Sequence, residues 1–241
     1  MSTHFETFSF QHFAILFVLG TLTLQAVRKG LRAEETLKFN IALSLAGITF
    51  SALIIETVVK LFAGTYDILT DLPLFLCDLV TVMLPFVILK RNRRWIGILY
   101  FWAMAGTLQA LITPELEEGF PSFYFFRYFI MHAGIVAAVL YTVIVWKIRM
   151  TWRDLVNAVI YAQVYLVVVH FINQALNSNY SYTLQKPVDP TILDHLGPWP
   201  WYIFWGEFIM LVLFILLLLP FLFSKASAIQ GPGNESTFGQ E

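Results

Sequence analysis

The chain has 241 residues, of which 58% are hydrophobic and 13% charged, and its formal net charge is −1. Soluble domains run at roughly 45–50% apolar and about 25% charged residues, so the apolar surplus here, with 23 phenylalanines and a mean hydropathy of +0.70, does not fit inside one water-soluble core. The near-neutral charge gives a nucleic-acid partner no electrostatic support, and the single cysteine, Cys77, excludes an internal disulfide.

In chain order, the first apolar run is Phe13 to Leu24. It has no basic segment before it, whereas Arg28 and Lys29 follow it, so it reads as a retained first helix and not as a cleaved signal. A spanning helix needs about 20 mostly apolar residues, and backbone groups in lipid must be satisfied within the segment. On this basis spans fall near 10–27, 41–62, 72–89, 95–112, 125–146, 155–176 and 201–223. The fold class is therefore all-α, a polytopic bundle of seven transmembrane helices over residues 1–224, with a polar tail at 225–241 that reads as disordered and cytoplasmic. No internal repeat is evident.

Loop charge orients the bundle. The first loop carries Arg28, Lys29, Arg32 and Lys38, the third Lys90, Arg91, Arg93 and Arg94, and the fifth Lys147, Arg149 and Arg153. The second and fourth carry Asp67, Asp71, Glu115, Glu117 and Glu118 without a Lys or Arg, and the sixth has only Lys186. Short basic loops stay cytoplasmic, so the N-terminus is expected outside and the C-terminus inside a cell membrane. The sixth loop, 177–200, holds Pro187, Pro190, Pro198 and Pro200, and Trp199, Trp201, Tyr202 and Trp205 cluster at its end, as an outer aromatic belt does.

Counting residues along each span at about 1.5 Å per residue places polar groups in one layer near the outer ends. Cys77 comes about 8 Å down, His132 about 10 Å, Glu207, Glu56 and His170 about 9 Å, and Gln109 and Asn173 about 5 Å. Intramembrane ionisable residues are costly and usually mark function, so a shared cavity opening to the extracytoplasmic side is expected. Glu56 and Lys60 are also spaced to pair along one helix, and the stripe Gln163, His170, Asn173, Gln174 and Asn177 is of the kind that glues helices together. Arg127, Lys186 and His195 lie where they would gather a lipid phosphate at the rim.

Three chemistries fit such a layer. The first is acyl transfer or ester hydrolysis on a lipid, with Cys77 as nucleophile, His132 as its base and Glu207 or Glu56 orienting the imidazole. Its substrate-binding set is Glu56, Asp78, Gln109, Arg127, His170, Asn173 and Lys186, its partners are membrane lipids (a phospholipid or lysophospholipid), and it needs no cofactor. Asp78 beside Cys77 works against it, since a like charge disfavours the thiolate. The second is a zinc hydrolase using His132, His170, Glu56, Asp78 and Glu207, although no HExxH-type spacing is present. The third is a non-catalytic cavity that binds or passes a solute.

Several motifs carry a resemblance: Leu72-Pro73-Leu74-Phe75-Leu76-Cys77-Asp78, Gly106 with Gln109-Ala110 and Thr113-Pro114, and Phe129 with His132 and Gly134. Asn179-Tyr180-Ser181-Tyr182, Lys186-Pro187 and Leu196-Gly197-Pro198-Trp199-Pro200-Trp201 complete the set. Together they resemble the bacterial YwaF-like integral membrane proteins, which are related to eukaryotic transmembrane protein 164 and, more distantly, to the androgen-induced-gene family of membrane hydrolases. The resemblance implies a phospholipid acyltransferase with a membrane cysteine as acyl carrier, Cys77 at the nucleophile position and His132 at that of the histidine. Phe75 stands where bacterial members often carry a second histidine.

Overall fold

The computed structural model describes residues 4–187 and 191–223; Pro190 and the tail 225–241 lie outside them. Among the described residues the chain is helical, with one isolated bridge, His4 to Glu118, as its only extended pairing. Helices α1 (Phe10–Arg32), α2 (Glu35–Ala63), α4 (Arg93–Ile112), α5 (Phe123–Val145), α6 (Trp152–Leu176) and α7 (Trp201–Phe223) are each long and apolar enough to cross a membrane. The remaining one, α3 (Leu76–Leu89), has 14 residues and is about 21 Å long. It falls short of the roughly 30 Å hydrocarbon core.

Helix ends differ from the expected spans for physical reasons. The third helix begins at Leu76 and not at residue 72, because Pro73 disfavours helical backbone in the residue before it. Residues 72–75 form turns instead. Helices α1 and α2 run on to Arg32 and start at Glu35, since a helix continues into the polar headgroup zone where its charged residues are solvated. Helix α4 is not uniform: Ala103–Thr107 form a π-turn within it.

The core is built from α4 and α5. Over half of α4 and two thirds of α5 in their apolar windows are buried, against 11% in α1 and α7. Helices α2 and α5 meet along a small-residue seam: Ala42, Ala46, Thr49, Leu53 and Glu56 form the buried stripe of α2, and a side chain at Gly134 would collide with Thr49. Small residues let helix backbones approach closely in a membrane. Seven residues beyond Thr49 lies Glu56, and seven before Gly134 lies Arg127. These two pair, so the same antiparallel register that closes the seam brings an ion pair together two turns further on. Gly134→Leu is expected to destabilise the fold by about 1–3 kcal/mol, as overpacking does, read as a lower unfolding midpoint in detergent; an unchanged midpoint would show the seam to be loose.

Loops sort by end. At one end Arg91 lies over Phe39 and Trp146, Arg93 grips Asp154 at 2.5 and 2.8 Å, and Arg149 donates to the Phe221 carbonyl at 2.7 Å. At the other, the Phe5 N–H donates to Glu117 O at 2.8 Å, and the Tyr180 hydroxyl donates to Ile68 O at 2.7 Å. The basic loops thus share one end of the bundle and the acidic loops the other.

Candidate functional site

The acidic end holds a cavity of about 510 Å³. It lies between the last turns of α2 and α4, the first turns of α3 and α5, and the loops beside them. Of the residues expected at a site, Glu56, Cys77, Asp78, Gln109, Arg127 and His132 all line it. Four helices therefore converge there.

Cys77 is the second residue of α3. The first backbone N–H groups of a helix have no partner within it, and the helix dipole favours negative charge at that end. Its Sγ lies 3.5 Å from Thr107 Oγ1. Thr107 closes the π-turn of α4, and such turns re-aim side chains and are frequent at functional sites. His132 is buried in the middle of α5. Its Nδ1 is 2.8 Å from the Tyr128 carbonyl oxygen, an acceptor, so Nδ1 carries the proton. In the neutral ring Nε2 then holds the free lone pair. The Tyr128 ring packs on the imidazole with centroids 4.2 Å apart and planes 30° from parallel.

Along the same cavity wall runs a chain of alternating charge. Asp71 accepts from Lys60 at 2.6 Å, Lys60 is 3.6 Å from Glu56, Glu56 pairs with Arg127, and Arg127 is 3.8 Å from Asp78. Glu56 and Lys60 do pair along α2 as their spacing implies, but the same residues also form the cavity wall. Burial alone would raise the Asp71 carboxyl, yet the Asp67 N–H and the Lys60 ammonium outweigh it and hold that carboxyl below the usual carboxylate range.

Loop six braces the approach to Cys77. Asn173 spends its whole side-chain hydrogen-bonding capacity on it: Oδ1 accepts from the Tyr180 N–H and the Ser178 hydroxyl, and Nδ2 donates to Tyr180 O and Thr183 Oγ1. Tyr180 in turn accepts from the Leu72 N–H at 3.0 Å, and Tyr165 donates to Leu74 O at 2.7 Å. Phe75 meets Tyr180 edge-on, with centroids 5.3 Å apart. Phe75 is thus an aromatic wedge against this loop.

Four expected site residues lie elsewhere. Glu207 is hydrogen-bonded to Gln163 of α6, away from His132. His170 contacts Gln174 at 3.2 Å on the same helix. Asn173 is fully occupied by loop six. Lys186 faces Asp194 at 3.8 Å and the Tyr202 ring at 5.8 Å. Arg127 pairs with Glu56 and lies 3.8 Å from Asp78 on the cavity wall, whereas Lys186 and His195 are not among the residues that line the cavity. Counting along the helices does not decide which face is turned inward, and the α6 and α7 residues His170, Asn173 and Glu207 do not line the cavity. Among the described residues no three His, Cys, Asp or Glu side chains gather as metal ligands, because His170 and Glu207 are outside the cavity. Thr107, Tyr128 and Asp71 are the contributors not anticipated. Tyr128 alone had a sequence signal, its four-residue spacing from His132.

A family model described as the TMEM164 family matches residues 7–218. The chain belongs to the TMEM164 family. The match spans every residue of the cavity and ends within α7. No curated protein and no solved structure matches the chain. Family membership makes this a membrane protein with several apolar helices, consistent with the fold.

Proposed function

We propose that this TMEM164-family protein crosses the membrane seven times and transfers or hydrolyses lipid acyl groups through Cys77 and His132. On this reading α3 is the third crossing, completed by the turns at 72–75. The N-terminus and the cavity face the extracytoplasmic side of a cell membrane, and the basic end faces the cytoplasm. Gathering of the three Lys- and Arg-rich loops at one end supports that orientation. The kinship to YwaF-like and androgen-induced-gene proteins belongs to the same proposal.

The observation that carries it is the placing of the only thiol and a histidine with a free Nε2 on the wall of one cavity. The Cys77 proton passes to Nε2, and Sγ attacks the ester carbonyl carbon. Collapse of the tetrahedral intermediate breaks the ester C–O bond, and the departing alkoxide takes the proton from the imidazolium. A lysophospholipid hydroxyl or water then attacks the thioester by the reverse proton path, releasing the new ester or the fatty acid and restoring the thiol. The first N–H groups of α3, which have no acceptor within the helix, are suited to the oxyanion.

Reconstituted with mixed phospholipids, the purified protein is expected to gain a fatty-acyl mass that hydroxylamine removes and that Cys77→Ala lacks. An adduct retained by Cys77→Ala would overturn the assignment. A second reading, solute binding or passage, rests on the charged wall from Asp71 to Asp78. It expects Glu56→Gln to alter ligand binding while Cys77→Ala has little effect.

A further inference from the structure

A second hollow, of about 220 Å³, opens between α4, α6 and α7. Its character is opposite to that of the first. Leu76, Trp102, Ala105, Ala162, Gly206 and Leu213 line it, and Gln109 is its one polar side chain. Small residues make the space: a side-chain carbon at Gly206 would meet nothing within 4 Å, and one at Gly106 only Leu76 at 3.8 Å. The crevice opens sideways, since Ile209 on its edge is 39% exposed on a helix that is otherwise largely membrane-facing.

Two features join this crevice to the polar cavity. Gln109 lines both hollows. At the head of α3 consecutive residues divide between them, Leu76 facing the crevice and Cys77 the cavity. Gln163 and Glu207, each adjacent in sequence to a lining residue, hydrogen-bond across α6 and α7 and tie together the two helices that frame the opening.

We infer that this crevice receives one hydrocarbon chain of a membrane lipid from the side, while the polar part of the same molecule occupies the cavity lined by Cys77. The inference rests on the acyl-transfer reading and assigns it a route and a chain-binding subsite. The chemistry of the walls selects the occupant: an unbranched apolar chain matches a narrow lining of Leu, Ala, Gly and Trp, and a polar solute would leave its hydrogen bonds unmade there. The ester joining chain to head group then falls at the Gln109 boundary, next to Cys77.

The test uses the full chain in phosphatidylcholine nanodiscs doped with a phospholipid bearing a diazirine midway along one acyl chain. After irradiation, labelled positions are mapped by peptide mass spectrometry. Label is expected to be several-fold enriched on Ala162, Met210 and Leu213 over Phe17, a membrane-facing residue of α1. Gly206→Phe should bring that enrichment to the Phe17 level, and Cys77→Ala should keep it. Equal labelling of the crevice and of Phe17 in the wild type would overturn the inference, as would full enrichment in a Gly206→Phe variant that unfolds at the wild-type temperature. Because Cys77→Ala is read for label here and for thioester above, loss of the acyl-transfer reading and loss of the crevice are separate results.

Discussion

Cys77→Ala is expected to abolish acyl turnover in reconstituted vesicles, and His132→Ala to slow it by roughly 10²–10⁴-fold, the usual contribution of a positioned base. The two differ because the thiol forms the covalent bond while the imidazole only moves its proton. The structure gives His132 one competent arrangement. Its Nδ1–H is committed to the Tyr128 carbonyl, and the Tyr128 ring covers one face, so Nε2 is left to accept. Thr107→Val removes the hydroxyl 3.5 Å from Sγ while keeping the side-chain shape. It should lower turnover less than either change, and leave the thioester detectable. Wild-type turnover by Cys77→Ala in protein that retains its unfolding midpoint would sink the mechanism and favour the binding cavity.

Much of the architecture is legible in the sequence because lipid imposes it. Apolar runs locate the helices, with the largest displacements at the end of α1, which runs on to Arg32, and at the start of α2, which begins at Glu35, and the grouping of basic loops anticipates which ends lie together. The α2 stripe from Ala42 to Glu56 could be read on a helical wheel. What stays hidden is rotation. Counting residues gives depth for Glu207 and His170, but not the face each helix turns inward, which is decided by packing. Glu207 finds Gln163, and Asn173 is consumed by loop six. The π-turn at Ala103–Thr107 is likewise invisible to periodicity, yet it ends at Thr107, whose hydroxyl meets Cys77, and lies two residues before Gln109. Asp71 was legible only as a loop acid, because its role depends on the chain folding back over Lys60.

Arg127→Met is expected to cost about 3–5 kcal/mol of stability, the penalty for breaking a buried pair from one side. Arg127 stands between Glu56 and Asp78, with side chains 18%, 11% and 12% exposed. Without it Glu56 keeps Lys60 at 3.6 Å, but Asp78 loses the one cation paired with it among the described residues. Arg127→Lys should fall between, since a single ammonium cannot serve two carboxylates with a planar fork. Asp78→Asn placed on Arg127→Met should recover part of the loss, because the orphaned charge is gone; the double-mutant cycle would then show coupling. Acid acts on the same chain from its other end. The Asp71 carboxyl is depressed when folded, so its contribution is present above the unfolded value of about 3.9 and disappears as pH falls below that through the folded one. Lys60→Met removes the ammonium that holds Asp71 ionised and should flatten that acid limb of the stability profile. If Arg127→Met instead unfolds at the wild-type midpoint, the charges are solvated by water within the cavity. The wall would then serve ligand recognition and not the fold, and Glu56→Gln would be the variant to follow by binding.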